Sequence, residues 1–172
     1  MRRHSLVALA LLAPLVASSL LVAGPAAAAT KKPVTLTFTT TLTSSGTTLE
    51  SLPGGHTYGW NNLSGSTTWG KQSAEISFLG DVDYVNGSGP FNGYVTITRA
   101  DGVTLGTHID GNALAVPDGS AGTRTVFAGS VSVIQGTRAY RGASGIGTMT
   151  GQRRSALGSP VEMTLTLTVL RR

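Results

Sequence analysis

The chain has 172 residues, no cysteine, 12% charged residues and a formal net charge of +5. The absence of cysteine excludes disulfide bonds, thiolate metal sites and a cysteine nucleophile. The excess of basic residues lies largely at the two ends of the chain. No basic stripe with stacking aromatic residues is found, so the composition argues against nucleic-acid binding.

The first 29 residues have the pattern of a secretory signal peptide. An Arg-Arg pair lies near their start, an almost unbroken apolar run covers residues 6–22, and the alanines at 27–29 offer an A-x-A cleavage site. We expect residues 1–29 to be cleaved on export, which leaves residues 30–172 as one secreted domain. An uncleaved membrane anchor is the alternative, but the apolar run is short and ends in small residues. No later segment is long and apolar enough to cross a bilayer as a helix.

Alternation of apolar residues with threonine predicts about eight β-strands and no amphipathic helix. It is clearest at the start of the mature chain, where V-T-L-T-F-T-T-T-L-T alternates with period two. The dipeptide Asp101–Gly102 predicts a tight hairpin turn. The strands are expected over residues 34–43, 47–52, 56–60, 74–78, 94–99, 103–110, 124–134 and 161–169.

Sequential short strands without a helix are typical of an antiparallel barrel or a sandwich. Barrel closure removes the edges that a threonine-rich sheet with few charges would otherwise expose. Glycines inside the strand patterns also suit a sharply coiled wall. We therefore predict an all-β fold, a small antiparallel β-barrel of about eight strands.

Five glycines fall in the sixteen residues from Gly136 to Gly151, after an apolar strand and before the last one. No helix follows them, so we expect a closing hairpin, with strand continuing through the glycines, rather than a phosphate cradle. The segment 127–151 resembles the late hairpin of the allene oxide cyclase-like and dirigent-like barrels, which are calycin-like. That pattern reads G-G-T/S-G-x-F/Y-x-G-A-x-G, and the matching residues are Gly136, Thr137, Tyr140, Gly142, Ala143 and Gly145. Gln135 and Arg138 replace two of the expected glycines.

The resemblance implies a secreted barrel of a group whose bacterial members mostly have no assigned activity. Allene oxide cyclases use a glutamate on the first strand and have a cysteine in the lumen, and this chain lacks both. Dirigent proteins use aspartates near the barrel mouth, where Asp81 and Asp83 could correspond, although solvated turn acids are the favoured interpretation. The resemblance also leaves a homo-oligomer open, because related barrels often form dimers or trimers.

The candidate ligand-binding residues are mostly aromatic. His56, Tyr58 and Trp60 share one face of a strand and are amphipathic groups able to line a pocket. A core or rim aromatic ladder is the alternative. Trp69 follows shortly after, and Asn86 is included because Gly80–Asp81 followed by an asparagine resembles a G-D…N stretch of allene oxide cyclases.

Other chemistry finds little support in the sequence. His108 and Asp110 share a strand face and could form an acid–base pair, but they lie on the threonine side, which favours a solvated pair. The mature chain has two histidines without converging spacing, so we expect no metal and no cofactor. No nucleophile lies in a G-x-S-x-G turn between a strand and a helix.

Three functions follow from the predicted barrel. The first is binding of a small hydrophobic, aromatic or phenolic molecule in the lumen, and the second is a structural or surface-associated module with a packed lumen. The third is an isomerase or a guide of radical coupling. The lumen discriminates them, because a cavity of roughly a few hundred Å³ would favour binding. Binding would fail if the lumen were filled by Phe38, Phe78, Phe127, Met163 and Leu165.

Overall fold

The computed structural model describes residues 32–119, 122–154 and 158–172. The predicted signal peptide, its cleavage site after residue 29 and the domain boundary there lie outside the described residues. The described residues contain nine strands: β1 (Val34–Thr47), β2 (Glu50–Leu52), β3 (His56–Trp69), β4 (Gln72–Val85), β5 (Gly89–Arg99), β6 (Thr104–Pro117), β7 (Thr123–Gly136), β8 (Ser144–Arg153) and β9 (Val161–Leu170). In the described part of the chain, no helix is long and apolar enough to span a membrane.

Eight of the strands form a closed antiparallel barrel. From β3 onward each strand pairs with the next, and β9 pairs with β1. The second part of β1, Thr43–Thr47, pairs with β3 and closes the barrel. The short strand β2 continues along the same edge of β3 after β1 has ended. The predicted barrel of about eight strands is confirmed.

The two ends of the lumen differ. At the end where β3 stops and β4 begins, which we call the packed end, aromatic rings fill the space. Trp69 contacts Phe38 edge to face at 5.5 Å between ring centres and Tyr140 at 5.0 Å. The guanidinium of Arg99 lies 5.4 Å from the centre of the Trp69 ring, and the Arg171 guanidinium is 5.8 Å from the Tyr140 ring. Fully buried aliphatic residues lie along the same half of the lumen, among them Ile97, Leu105, Leu165 and Leu167.

The glycine-rich stretch forms the connection between β7 and β8, as predicted, and these two strands pair antiparallel. The expectation that strand continues through Tyr140 is wrong. Arg138–Tyr140 form a single turn of 3-10 helix, which places the Tyr140 ring against Trp69 at the packed end. Gly142 has a φ of 66°, which a residue with a side chain rarely adopts, and so permits the turn into β8.

Candidate functional site

A cavity of about 50 Å³ lies at the other end of the lumen, which we call the cavity end. Its wall comes from the later parts of β1, β4 and β8 and from the earlier parts of β3, β5, β7 and β9. Most of the lining is apolar, and its polar residues are Asn61, Asp81, Tyr84 and Arg153. The apolar lining includes Leu42, Leu63, Phe78, Phe91, Phe127, Met149 and Met163.

Aromatic rings pressed against the barrel wall shape this cavity. Phe78, Phe91 and Phe127 form an edge-to-face series, with ring centres 6.5 and 5.9 Å apart. A Cβ on Gly93 would lie 2.8 Å from the Phe78 ring, so glycine lets that ring lie close against β5. A Cβ on Gly111 would likewise clash with the Phe91 ring, so two of the three rings lie directly against glycines of neighbouring strands.

Five inward residues were expected to decide between a ligand-binding lumen and a packed one, and they divide between the two ends of the barrel. Phe38 and Leu165 are buried in the half of the lumen that is packed. Phe78, Phe127 and Met163 line the cavity instead. The lumen is thus filled along only part of its length, and the remaining cavity is smaller than the few hundred Å³ typical of ligand sites.

Arg153, the last residue of β8, is a buried cation in the cavity wall. Only 6% of its surface is exposed. One guanidinium nitrogen, Nη2, donates a hydrogen bond to Thr125 Oγ1 at 3.2 Å, and the guanidinium carbon lies 5.6 Å from the centre of the Phe127 ring. Its Nε has no hydrogen-bond partner among the described residues. Burial lowers the pKa of Arg153, while Tyr84 acts in the opposite direction.

Tyr84, on β4, is the second buried titratable group of the cavity wall, and 3% of its surface is exposed. Burial raises the pKa of its hydroxyl to about 12, and the positive charge of Arg153 opposes part of that rise. The phenol therefore stays neutral at physiological pH and keeps its proton for donation.

We expect Tyr84 to make the protein lose stability as the pH rises from 10 to 12. In this window an unfolded tyrosine with a pKa near 10 ionises, whereas the folded Tyr84 with a pKa of about 12 stays protonated. The unfolded state therefore binds fewer protons, and the free energy of unfolding falls by up to about 2–3 kcal/mol. Urea denaturation across this pH range measures the loss.

Tyr84→Phe should remove this part of the pH dependence, while Tyr58→Phe, which changes an exposed phenol, should keep it. A wild-type protein and a Tyr84→Phe variant that lose stability in parallel between pH 10 and 12 would contradict the assignment.

The predicted group on β3 lies on the outside of the barrel. His56, Tyr58 and Trp60 do share one face, as the alternation indicated, and that face points away from the lumen. The His56 imidazole contacts the Asp83 carboxylate of β4, and Trp60 is 47% exposed. None of the three lines the lumen cavity.

The other two predicted site residues, Trp69 and Asn86, lie in the packed core and in a hairpin turn. Trp69 is buried at the packed end and also lies away from the cavity. Asn86 and Gly87 form the turn between β4 and β5, with φ values of 52° and 79°. These are the values that a two-residue type I′ hairpin requires, and asparagine tolerates them better than most residues. The backbone N–H of Asn86 also donates a hydrogen bond to the backbone carbonyl of Gly55 at 2.9 Å.

Polar side chains cluster on the outer face of β4, β5 and β6. Asp81 and Asp83 lie within β4 rather than in a turn, and Asn92 donates to Asp81 at 3.3 Å. His108 and Asp110 form the predicted pair, at 3.2 Å on the outer side of β6. In the described part of the chain, no group of three or more His, Asp or Glu residues could hold a metal ion.

Sequence reasoning missed Tyr84 and Arg153. For Arg153, the alternation of β8 could have indicated the position, because Met149, Gly151 and Arg153 fall on the inward side of that strand. A charged residue at an inward position of a barrel strand is rare and marks either a mouth or a binding site.

No protein-family model, curated protein or solved structure matches this chain. The resemblance to allene oxide cyclase-like and dirigent-like barrels therefore stays a prediction from the hairpin residues, and the site must be interpreted from its own chemistry.

Proposed function

We propose that this protein binds a small apolar or aromatic molecule in the cavity end of the barrel. The observation that carries the proposal is an apolar cavity in which buried polar groups, Tyr84 and Arg153, meet a wall of aromatic and aliphatic side chains. Apolar walls with a few placed polar groups are the usual composition of small-molecule sites. From the pattern of residues 1–29 we place this activity outside the cell.

The volume of about 50 Å³ has room for only a few water-sized groups. A ligand of this size is small, or it inserts one end and displaces flexible side chains. Met149 and Met163 line the cavity, and methionine adapts to irregular shapes more readily than branched residues do. The methionines therefore supply the adjustment that an entering ligand needs.

The experiment is mass spectrometry of small molecules that co-purify with the exported protein, followed by thermal-shift screening with lipids and phenols. We expect a consistent bound compound, or a rise in Tm with apolar compounds. Met149→Phe, which fills the cavity, should abolish the shift, whereas Ile146→Phe on the outer face of β8 should not.

The packed end supports a second candidate, a structural module without a ligand. An empty protein and no thermal shift with any compound would favour that module and contradict binding. The isomerase alternative has less support, because β1 carries no acidic residue that could serve as a base.

A further inference from the structure

We propose that the ligand of the cavity carries a carboxylate that pairs with the guanidinium of Arg153, so that the site selects small apolar monocarboxylic acids. The inference rests on the proposed function, that the cavity takes a small apolar molecule, and adds the chemical class of that molecule. Arg153 is then the residue that determines specificity.

The guanidinium of Arg153 has more hydrogen-bond donors than the surrounding residues satisfy. A guanidinium has five N–H donors, and the described residues provide one acceptor, the Thr125 hydroxyl. Removing an ion from water without a counter-charge is strongly unfavourable, so buried charges in proteins are paired. An arginine that is 94% buried and unpaired inside a cavity wall therefore calls for a partner that enters the cavity.

The chain itself places no acidic group against the guanidinium of Arg153. All eight Asp and Glu residues belong to the described parts of the chain, and segments 1–31, 120–121 and 155–157 contain none. Asp81 also contributes to the cavity lining, but neither it nor any other described carboxylate lies within ion-pair distance of Arg153. The C-terminal residue, Arg172, lies beside Gly142, near the packed end.

Two other arginines show the contrast. Arg99 forms a two-point pair with Asp101, at 2.9 and 2.7 Å. Arg124, close to Arg153 in the barrel, lies 3.9 Å from Asp118 and donates to the side chain of Gln152. Both are more exposed than Arg153. The Nε atoms of Arg124 and Arg171 also have no hydrogen-bond partner among the described residues, but both side chains are more exposed than that of Arg153. Arg153 is thus the most deeply buried of these guanidinium groups, and it has no acid beside it.

The rest of the cavity suits a small acid with an apolar tail. The planar fork of a guanidinium fits both oxygens of one carboxylate. The neutral Tyr84 hydroxyl provides a further donor in the same cavity wall. The remaining lining is largely aromatic and aliphatic, which suits a short hydrocarbon or aromatic tail, and the volume of about 50 Å³ excludes a bulky one.

The test compares matched ligands by isothermal titration calorimetry on the exported protein. Propionate and butyrate are titrated beside propan-1-ol and butan-1-ol, which keep the tail and remove the charge. Sodium sulfate at equal ionic strength tests for a general anion effect. We expect the acids to bind about 10- to 100-fold more tightly than the alcohols, as hydrogen bonds to charged groups imply, and sulfate not to compete.

Variants assign the preference to the residue. Arg153→Met should remove the preference for acids and still bind the alcohols, and Arg153→Lys should retain part of it because the charge remains without the fork. Arg124→Met is the matched control and should bind as the wild type does, because Arg124 lies outside the cavity wall.

The outcomes separate the two proposals. Equal affinity of the wild type for acids and alcohols would overturn the carboxylate inference and leave the proposed binding function intact. A preference for acids that survives in Arg153→Met, or competition by sulfate, would also overturn it. Failure of every acid and alcohol to bind would overturn both.

Discussion

Trp69→Ala is expected to lower the free energy of unfolding by about 3–5 kcal/mol, the range for removing a large aromatic side chain from a packed core. The ring is almost fully buried and contacts Phe38 and Tyr140, and Arg99 lies over it. Its removal leaves a cavity between strands that closure of the barrel holds apart, so the neighbours have little freedom to collapse. Total stabilities of natural domains are about 5–15 kcal/mol, so the variant should be close to unfolding.

The matched control is Trp60→Ala. Trp60 is the same residue type on the same strand, but it lies on the outer face and is half exposed. We expect a change within about 0.5 kcal/mol. Urea denaturation monitored by far-UV circular dichroism gives both values. Equal losses for the two variants would show that the packed end does not stabilise the barrel as described.

The comparison of these two tryptophans also shows how far the sequence determined the fold. The alternation of β3 correctly placed His56, Tyr58 and Trp60 on one face, because side chains of a strand alternate regardless of its surroundings. Which face meets the lumen depends on register against β1 and β4, and that is a property of the closed sheet. The aromatic residues were therefore recognised as a group, and the structure places that group outside the lumen cavity; its role in ligand binding stays a prediction.

The barrel itself was predictable because many weak signals agreed. Threonine alternation, the Asp101–Gly102 turn and glycines inside strands all indicated a coiled antiparallel sheet. A fold can be predicted from sequence when residue pattern and turn chemistry point to the same structure in this way. Tyr140 was misassigned because its turn depends on a contact with Trp69, far away in the chain, and on the positive φ of Arg138 and Gly142.

The division of the lumen into two ends was beyond the sequence. Phe38 and Phe78 are both inward aromatic residues of strands, yet one lies in the packed end and the other lines the cavity. Their depth along the barrel axis follows from strand stagger, which alternation does not encode. Arg153 was missed for a related reason, because its burial depends on β7 and on the Phe127 ring rather than on its neighbours in the chain.

The packed end and the cavity end have complementary roles in this barrel. Aromatic and aliphatic packing at one end stabilises the closed sheet, and this allows the other end to keep a buried charge that lowers stability. Functional sites commonly carry such local destabilisation. A substitution that removes the charge of Arg153 should therefore raise the stability of the protein and weaken its ligand binding.

Arg153→Met is accordingly expected to make the ligand-free protein more stable, by up to about 4 kcal/mol, the upper end of the range for replacing buried ion pairs by apolar residues. Methionine matches the unbranched stem of arginine and adapts to the space beside Phe127. The gain is reduced by the lost contact with the Phe127 ring, since cation–π pairs contribute about 0.5–2 kcal/mol. The free energy of unfolding, from urea denaturation without added ligand, measures the net change.

Arg124→Met provides the control, because Arg124 is partly exposed and already paired with Asp118. We expect that variant to be destabilised by up to about 1 kcal/mol, as for other exposed ion pairs. A loss of stability in Arg153→Met that equals or exceeds the loss in Arg124→Met would mean that the guanidinium is satisfied in the ligand-free protein. The unpaired charge would then no longer point to an acidic ligand. If Arg153→Met is more stable than the wild type and Arg124→Met is not, the buried charge of Arg153 lowers the stability of the fold.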